Sequence, residues 1–221
     1  MMEEKLRSTL ERIAKHHAPA CLASSFGLED MVLIDMIARH GIAISVFTLD
    51  TGRLPEETYQ LMQKVFGDTK IDVYFPNQDA VAEYVGENGP NAFYDSVELR
   101  KACCRIRKVE PLRRALAGKG AWITGIRRQQ SPTRGDLVEA AYDEENGLHK
   151  FNPLLEWSEK EIWNYIRAHD VPYNALHDKG YPSIGCAPCT RAITKGEDIR
   201  AGRWWWEDTS AKECGLHLKK A

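Results

Sequence analysis

Between residues 20 and 124 the sequence alternates short apolar runs with longer helical stretches, and this alternation restricts the fold more than any other feature. Residues 20–24, 44–49, 71–75 and 121–124 read as short buried strands, the first ending in small polar residues. Residues 27–40, 54–66 and 78–85 carry helical periodicity, with Gly41 closing the first of these helices. Strands separated by helices point to an α/β fold, a mostly parallel sheet flanked by helices.

The remaining segments attach to that frame. An amphipathic helix is expected over residues 3–17, and a long cationic helical stretch over 96–117, interrupted before Pro111. Ser158 and Glu161 form a capping box opening a helix that runs to His169. Periodicity then fades, residues 174–188 are rich in Gly and Pro, and residues 209–221 are too short and polar to hold themselves down. A chain of 221 residues suits one generous α/β domain, expected over residues 1–203, with a mobile C-terminal tail over 204–221.

No run approaches the roughly 18 apolar residues needed to span a bilayer, and the N-terminal stretch lacks a signal peptide's apolar core. A cytoplasmic protein with no membrane partner is expected. In a reducing compartment, six cysteines are more readily explained by metal binding or chemistry than by disulfides. The net charge of −2 and pI of about 6.4 argue against a general nucleic-acid surface. Cations nonetheless gather between Arg105 and Arg203, which suits a local anion site.

Four cysteines form two pairs, Cys103 with Cys104 and Cys186 with Cys189. Two distant pairs imply one four-thiolate site, and an adjacent pair fits a zinc knuckle poorly but can reach the corners of an iron-sulfur cube. A dithiol redox pair at Cys186 and Cys189 is the alternative. The turn from Ser24 to Asp30 lies where a strand passes into a helix, so its amides can meet an anion, although it holds a single Gly. Residues 49–52 and 122–134 end two further strands in Gly-containing turns, giving a plausible nucleotide crevice at one sheet edge. Near the C-terminus, Cys214 sits on a polar segment where a structural thiol has no core to join, so it is either a nucleophile or an incidental surface thiol. The three tryptophans 204–206 read as packing that anchors the root of the tail, and Cys21 as core.

Taken in order, Cys-Cys-Arg-Ile-Arg-Lys108, Thr-Gly-Ile-Arg-Arg-Gln-Gln-Ser131, Gly185-Cys-Ala-Pro-Cys-Thr190 and Glu-Cys-Gly-Leu-His217 resemble the assimilatory adenylyl-sulfate (APS) reductases. That resemblance implies an adenine-nucleotide α-hydrolase-like (PP-loop) fold and one 4Fe-4S cluster on Cys103, Cys104, Cys186 and Cys189. It further implies reduction of APS to sulfite and AMP, with Cys214 as nucleophile and thioredoxin as electron donor, in sulfate assimilation and cysteine biosynthesis. Lys108, Arg200, Arg203 and His217 match the family's phosphosulfate contacts, and Ser24, Leu49, Gly125 and Arg134 its nucleotide contacts. A related branch reduces the 3′-phosphorylated nucleotide (PAPS) and lacks the four cluster cysteines, so their presence points to APS. Competing readings are PAPS reduction, an ATP pyrophosphatase of the same fold, and a zinc-stabilised RNA-binding module using Arg127, Arg128 and the tryptophans. Oligomeric state, a homo-oligomer included, is left open.

Overall fold

The computed structural model describes residues 1–67, 69–130 and 136–207, so Arg134, Cys214 and His217 lie outside the described residues. One six-stranded sheet has the order β3-β2-β1-β4-β6-β5. β1 (Ala20–Ser24), β2 (Ile44–Leu49), β3 (Ile71–Tyr74), β4 (Ala121–Ile123) and β6 (Leu148–Phe151) run parallel, and β5 (Ala140–Asp143) pairs antiparallel with β6 at the edge. The mostly parallel sheet flanked by helices is therefore the observed architecture.

The inner strands are hidden because helices cover them. Cys21, Leu22, Ala121 and Ile123 have no measurable exposure. α1 (Met2–His16) lays Leu6, Leu10 and Ile13 on the main core, and α2 (Leu28–Arg39) buries residues on nearly all sides, from Leu28 to Ile37. α7 (Glu159–Ala168) packs on α2, opened by the capping box in which Ser158 and Glu161 satisfy one another's backbone amides. α3 (Glu56–Phe66) and α4 (Gln78–Asn88) complete the crossovers around β2 and β3. Among the described residues, no helix is long and apolar enough to cross a membrane.

The cationic helical stretch departs from expectation in an informative way. α5 (Val97–Cys104) does not break before Pro111 but widens into a π-turn over Arg105–Val109 and resumes as α6 (Glu110–Leu116). Proline removes one amide from the ladder, and the wider turn absorbs that loss without ending the helix. The π-turn falls directly after Cys103 and Cys104 and sets the direction of Arg107 and Lys108.

Strand order fixes the position of the crevice. From β1 the chain moves outward on one side through β2 and β3, then returns to pair β4 on the other side of β1. Loops at the carboxyl ends of β1 and β4 therefore diverge, and open α/β sheets bind ligands at such a switch point.

Candidate active site

A cleft of about 260 Å³ opens at this edge, and Ser24, Leu49, Lys108, Gly125, Arg200 and Arg203 all line it. These six come from β1, β2, the π-turn, the end of β4 and the C-terminal stretch, so the fold brings together residues far apart in sequence.

The floor of the cleft is the turn after β1. The Ser24 hydroxyl accepts the Phe26 amide at 3.1 Å, and Phe26 adopts a φ of +59°. The buried Asp30 carboxylate accepts from the Ser25 amide at 2.6 Å, the Ser25 hydroxyl at 2.8 Å and the Gly27 amide. An anionic side chain thus occupies amides that a bound phosphate would otherwise use. Burial raises the Asp30 pKa to about 6, against the opposing pull of the Ser25 hydrogen bonds. Because the folded state binds this proton more tightly than the unfolded chain, stability should fall as pH rises from about 4 to 6. The expected contribution is on the order of 3 kcal/mol. Urea unfolding of Asp30→Asn across that range should lose this slope relative to the parent, and an identical pH profile would refute the assignment.

Gly125 is required by close approach. A Cβ there would meet the Asp30 carboxylate, and would stand 2.8 Å from the Glu29 Cβ. Gly125→Ala is expected to cost about 1–3 kcal/mol of stability. The displaced side chains line the cleft and would narrow it, and urea unfolding reads the loss of stability. Beside Gly125, Arg127 is buried and its Nε donates to Glu29 at 2.6 Å. Arg128 pairs with Glu156 at 2.6 Å, and the Trp204 indole is buried. Of the groups invoked for an RNA surface, Arg127, Arg128 and Trp204 are engaged within the fold, whereas Trp205 is exposed. Sequence reading missed Glu29 and Asp30 as cleft residues, because acidic residues in a helix's first turn already have a sufficient explanation in the helix dipole.

The four paired cysteines converge next to the cleft. Cys104, Cys186 and Cys189 are buried in one cluster with Phe93 and Trp204, and Cys103 packs against it. All four line a second, smaller cavity with Arg107 and Lys108, and Lys108 and Cys186 border both cavities. The Cys186 loop is fastened to the turn after β2: Cys186 Sγ lies 3.3 Å from Thr51 Oγ1, and the Ala187 amide donates to Arg53 O at 2.8 Å. Arg107 donates to Thr51 O at 2.7 Å, joining the π-turn to the same place.

Electrostatics separates these thiols. Burial pushes Cys186 up, but Lys108, the Thr51 hydroxyl, Arg203 and Arg107 outweigh it and hold the thiol below its ordinary value. Cys189 is pushed up to about 12 by burial and by Cys186, and Cys103 is raised chiefly by burial. Among the described residues, no three His, Cys, Asp or Glu side chains are grouped to hold a metal ion. A tetrahedral zinc ion would require sulfurs roughly 3.8 Å apart, given Zn–S bonds of about 2.3 Å. Four thiols around one cavity, with cations alongside, are a donor set of the soft kind that an iron-sulfur cluster takes.

Residues 19–192 match the family model described as the phosphoadenosine phosphosulfate reductase domain. The chain belongs to the phosphoadenosine phosphosulfate reductase family. Within this reductase family it is 56% identical over 214 residues to the adenosine 5′-phosphosulfate reductase of Allochromatium vinosum, covering 96% of this chain and 83% of the relative. It is 55% identical to the enzyme of the same name from Burkholderia cepacia, covering 97% and 87%. The crystal structure of phosphoadenylyl-sulfate reductase from Candida auris superposes with a TM-score of 0.73 at 27% identity, covering 85% of this chain and 90% of that one. The FMN adenylyltransferase of Candida glabrata, at 13% identity and a TM-score of 0.57, shares the fold alone. These reductase relatives place the chain among enzymes that act on sulfur.

Proposed function

We propose that the chain reduces adenylyl sulfate to sulfite, releasing AMP, through an S-sulfo adduct on Cys214. The observation that carries this reading is a cleft at the carboxyl edge of the sheet lined by Lys108, Arg200 and Arg203, beside four converging thiols. The reductases from A. vinosum and B. cepacia named for adenosine 5′-phosphosulfate support the choice of nucleotide.

The Cys214 thiolate attacks the sulfate sulfur, forming an S–S bond as the bond from sulfur to the bridging oxygen breaks, and AMP leaves with that electron pair. Bringing a thiolate to an anionic group is opposed by repulsion, which the cationic ends of Lys108, Arg200 and Arg203 offset while favouring the leaving phosphate. A thiolate of a dithiol protein of the thioredoxin type then attacks Cys214 Sγ, expelling sulfite and leaving a mixed disulfide. The donor's second thiol resolves it, so two thiols are oxidised per sulfite formed. Cys103, Cys104, Cys186 and Cys189 would hold a 4Fe-4S cluster, which would supply a cross-link and local charge, the electrons coming from the donor's thiols.

One of two competing activities meets a specific obstacle. An ATP pyrophosphatase needs free amides in the first turn, where Asp30 is the acceptor. PAPS reduction shares every other step and differs by one phosphate. Sulfite release from APS and PAPS, compared at steady state with a thioredoxin donor, tests both. Preference for APS is expected, and sulfite from PAPS alone would reverse the assignment.

Arg203→Ala and Lys108→Ala should each lower APS turnover by about 10²–10³-fold, the loss typical of a donor aimed at transition-state charge. Iron content should be unchanged. Turnover falling only in proportion to lost iron would replace the substrate role with a structural one.

A further inference from the structure

Residues 200–207 are fixed by a set of contacts that the proposed chemistry does not require. Thr190 and Arg203 form an isolated antiparallel bridge, and the Trp204 amide donates to Cys189 O at 3.2 Å. Trp204 adopts a φ of +42°, a left-handed conformation unfavourable for a bulky side chain, and its indole is 1% exposed. Such a conformation persists only where its surroundings over-determine it.

Those surroundings centre on Arg100, one turn before the adjacent cysteines on α5. Its side chain is completely buried and grips Glu207 with two hydrogen bonds, Nε to Oε1 at 2.9 Å and NH2 to Oε2 at 2.7 Å. Glu207 in turn donates its amide to Trp204 O at 2.9 Å. The guanidiniums of Arg100 and Arg203 stand 4.9 Å and 4.7 Å from the Trp204 ring. Arg203 lies against Gly185, where any side chain would strike its guanidinium, and reaches into the cleft.

We propose that Arg100 and Glu207 are positioning residues for sulfur transfer: through Trp204, their buried pair holds the Arg203 guanidinium in the orientation that meets the substrate's sulfate. Two physical effects support this role. The fork of a guanidinium on a carboxylate fixes direction as well as distance, which a point charge does not. Glu207 also neutralises Arg100, so that two cations can share one indole and Arg203 remains the charge presented to the cleft. Release of the pair lets Trp204 relax toward an ordinary backbone conformation and turns Arg203 with it.

This inference rests on the proposed reaction, and its test separates the two. Wild-type protein is mixed with APS without a thiol donor, and AMP released per chain is followed in a single turnover. AMP affinity, iron content and melting temperature are measured beside it. AMP lacks the sulfate, so its binding reports the nucleotide cleft without the contact between Arg203 and the sulfate. Arg100→Met with Glu207→Leu replaces the buried pair by apolar side chains, an exchange that often leaves stability intact. Glu207→Gln keeps the shape and removes the charge, and serves if the double variant does not fold. Either variant is expected to slow AMP release by about tenfold or more, while AMP affinity stays within roughly threefold. Wild-type rates in both would overturn the proposal, as would a parallel loss of AMP affinity, iron and turnover, which marks a scaffold role. Wild-type protein that releases no AMP would sink the proposed reaction instead.

Discussion

Cys214→Ser is expected to abolish sulfite formation while nucleotide binding and iron content stay unchanged. A serine hydroxyl is barely ionised near neutral pH and cannot replace a thiolate as nucleophile, so a loss on the order of 10⁴-fold or more is expected, equal to about 5.4 kcal/mol of transition-state stabilisation. Wild-type protein given APS without a donor should release one AMP per chain and stop. Mass spectrometry should then find a sulfonate on the peptide containing Cys214, and thioredoxin should remove it as sulfite. The surrounding chemistry supports a thiol brought to this place from outside. Cys103 and Cys189 are pushed up, Cys186 is buried in the thiol cluster, and Cys21 is raised to about 12 by burial within the sheet. Normal sulfite production by the serine variant, or a sulfonate on Cys21, would overturn the mechanism without touching the fold.

The parallel sheet was legible because β1, β2 and β4 are largely buried and α2 and α3 bury apolar residues, so period and burial coincide there. The hairpin of β5 and β6 was not. Ala140, Ala141 and Tyr142 of β5 are exposed at the sheet edge, so no alternation of apolar and polar residues marks them. Spacing suggested that the cysteine pairs form one site, and all four line one cavity. Residues whose roles depend on distant partners were beyond sequence reading. Arg127 finds Glu29 across 98 positions and Arg100 finds Glu207 across 107, and nothing local in either stretch distinguishes a buried ion pair from a solvated cation. The single glycine of the first turn carried more meaning than its count suggested. Where a phosphate loop would leave its amides open, the carboxylate of Asp30 is folded beneath them.

Replacing Cys103 or Cys186 by serine should remove iron and colour and also loosen the fold. Cys103 lies in the last turn of α5, whereas Cys186 is fastened through Thr51 and Arg53 to the turn after β2, so a group bridging them would cross-link two parts of the chain far apart in sequence. Metal binding of this kind contributes directly to folding free energy. A loss of at least about 3 kcal/mol is expected, corresponding to a fall in melting temperature of roughly 6–12 °C for a domain of this size. Cys21→Ala is the control, since Cys21 lies in the sheet with its Sγ 3.5 Å from Ala121 O, apart from the thiol cavity. That variant should keep its iron and visible absorption even if cavity formation lowers its stability. Metal analysis, absorption and melting can be read on one preparation of each variant. Wild-type protein fully occupied by zinc and fully active would refute the cluster. Serine variants with unchanged melting and turnover would show that the four thiols, although gathered in one place, do not work as a set.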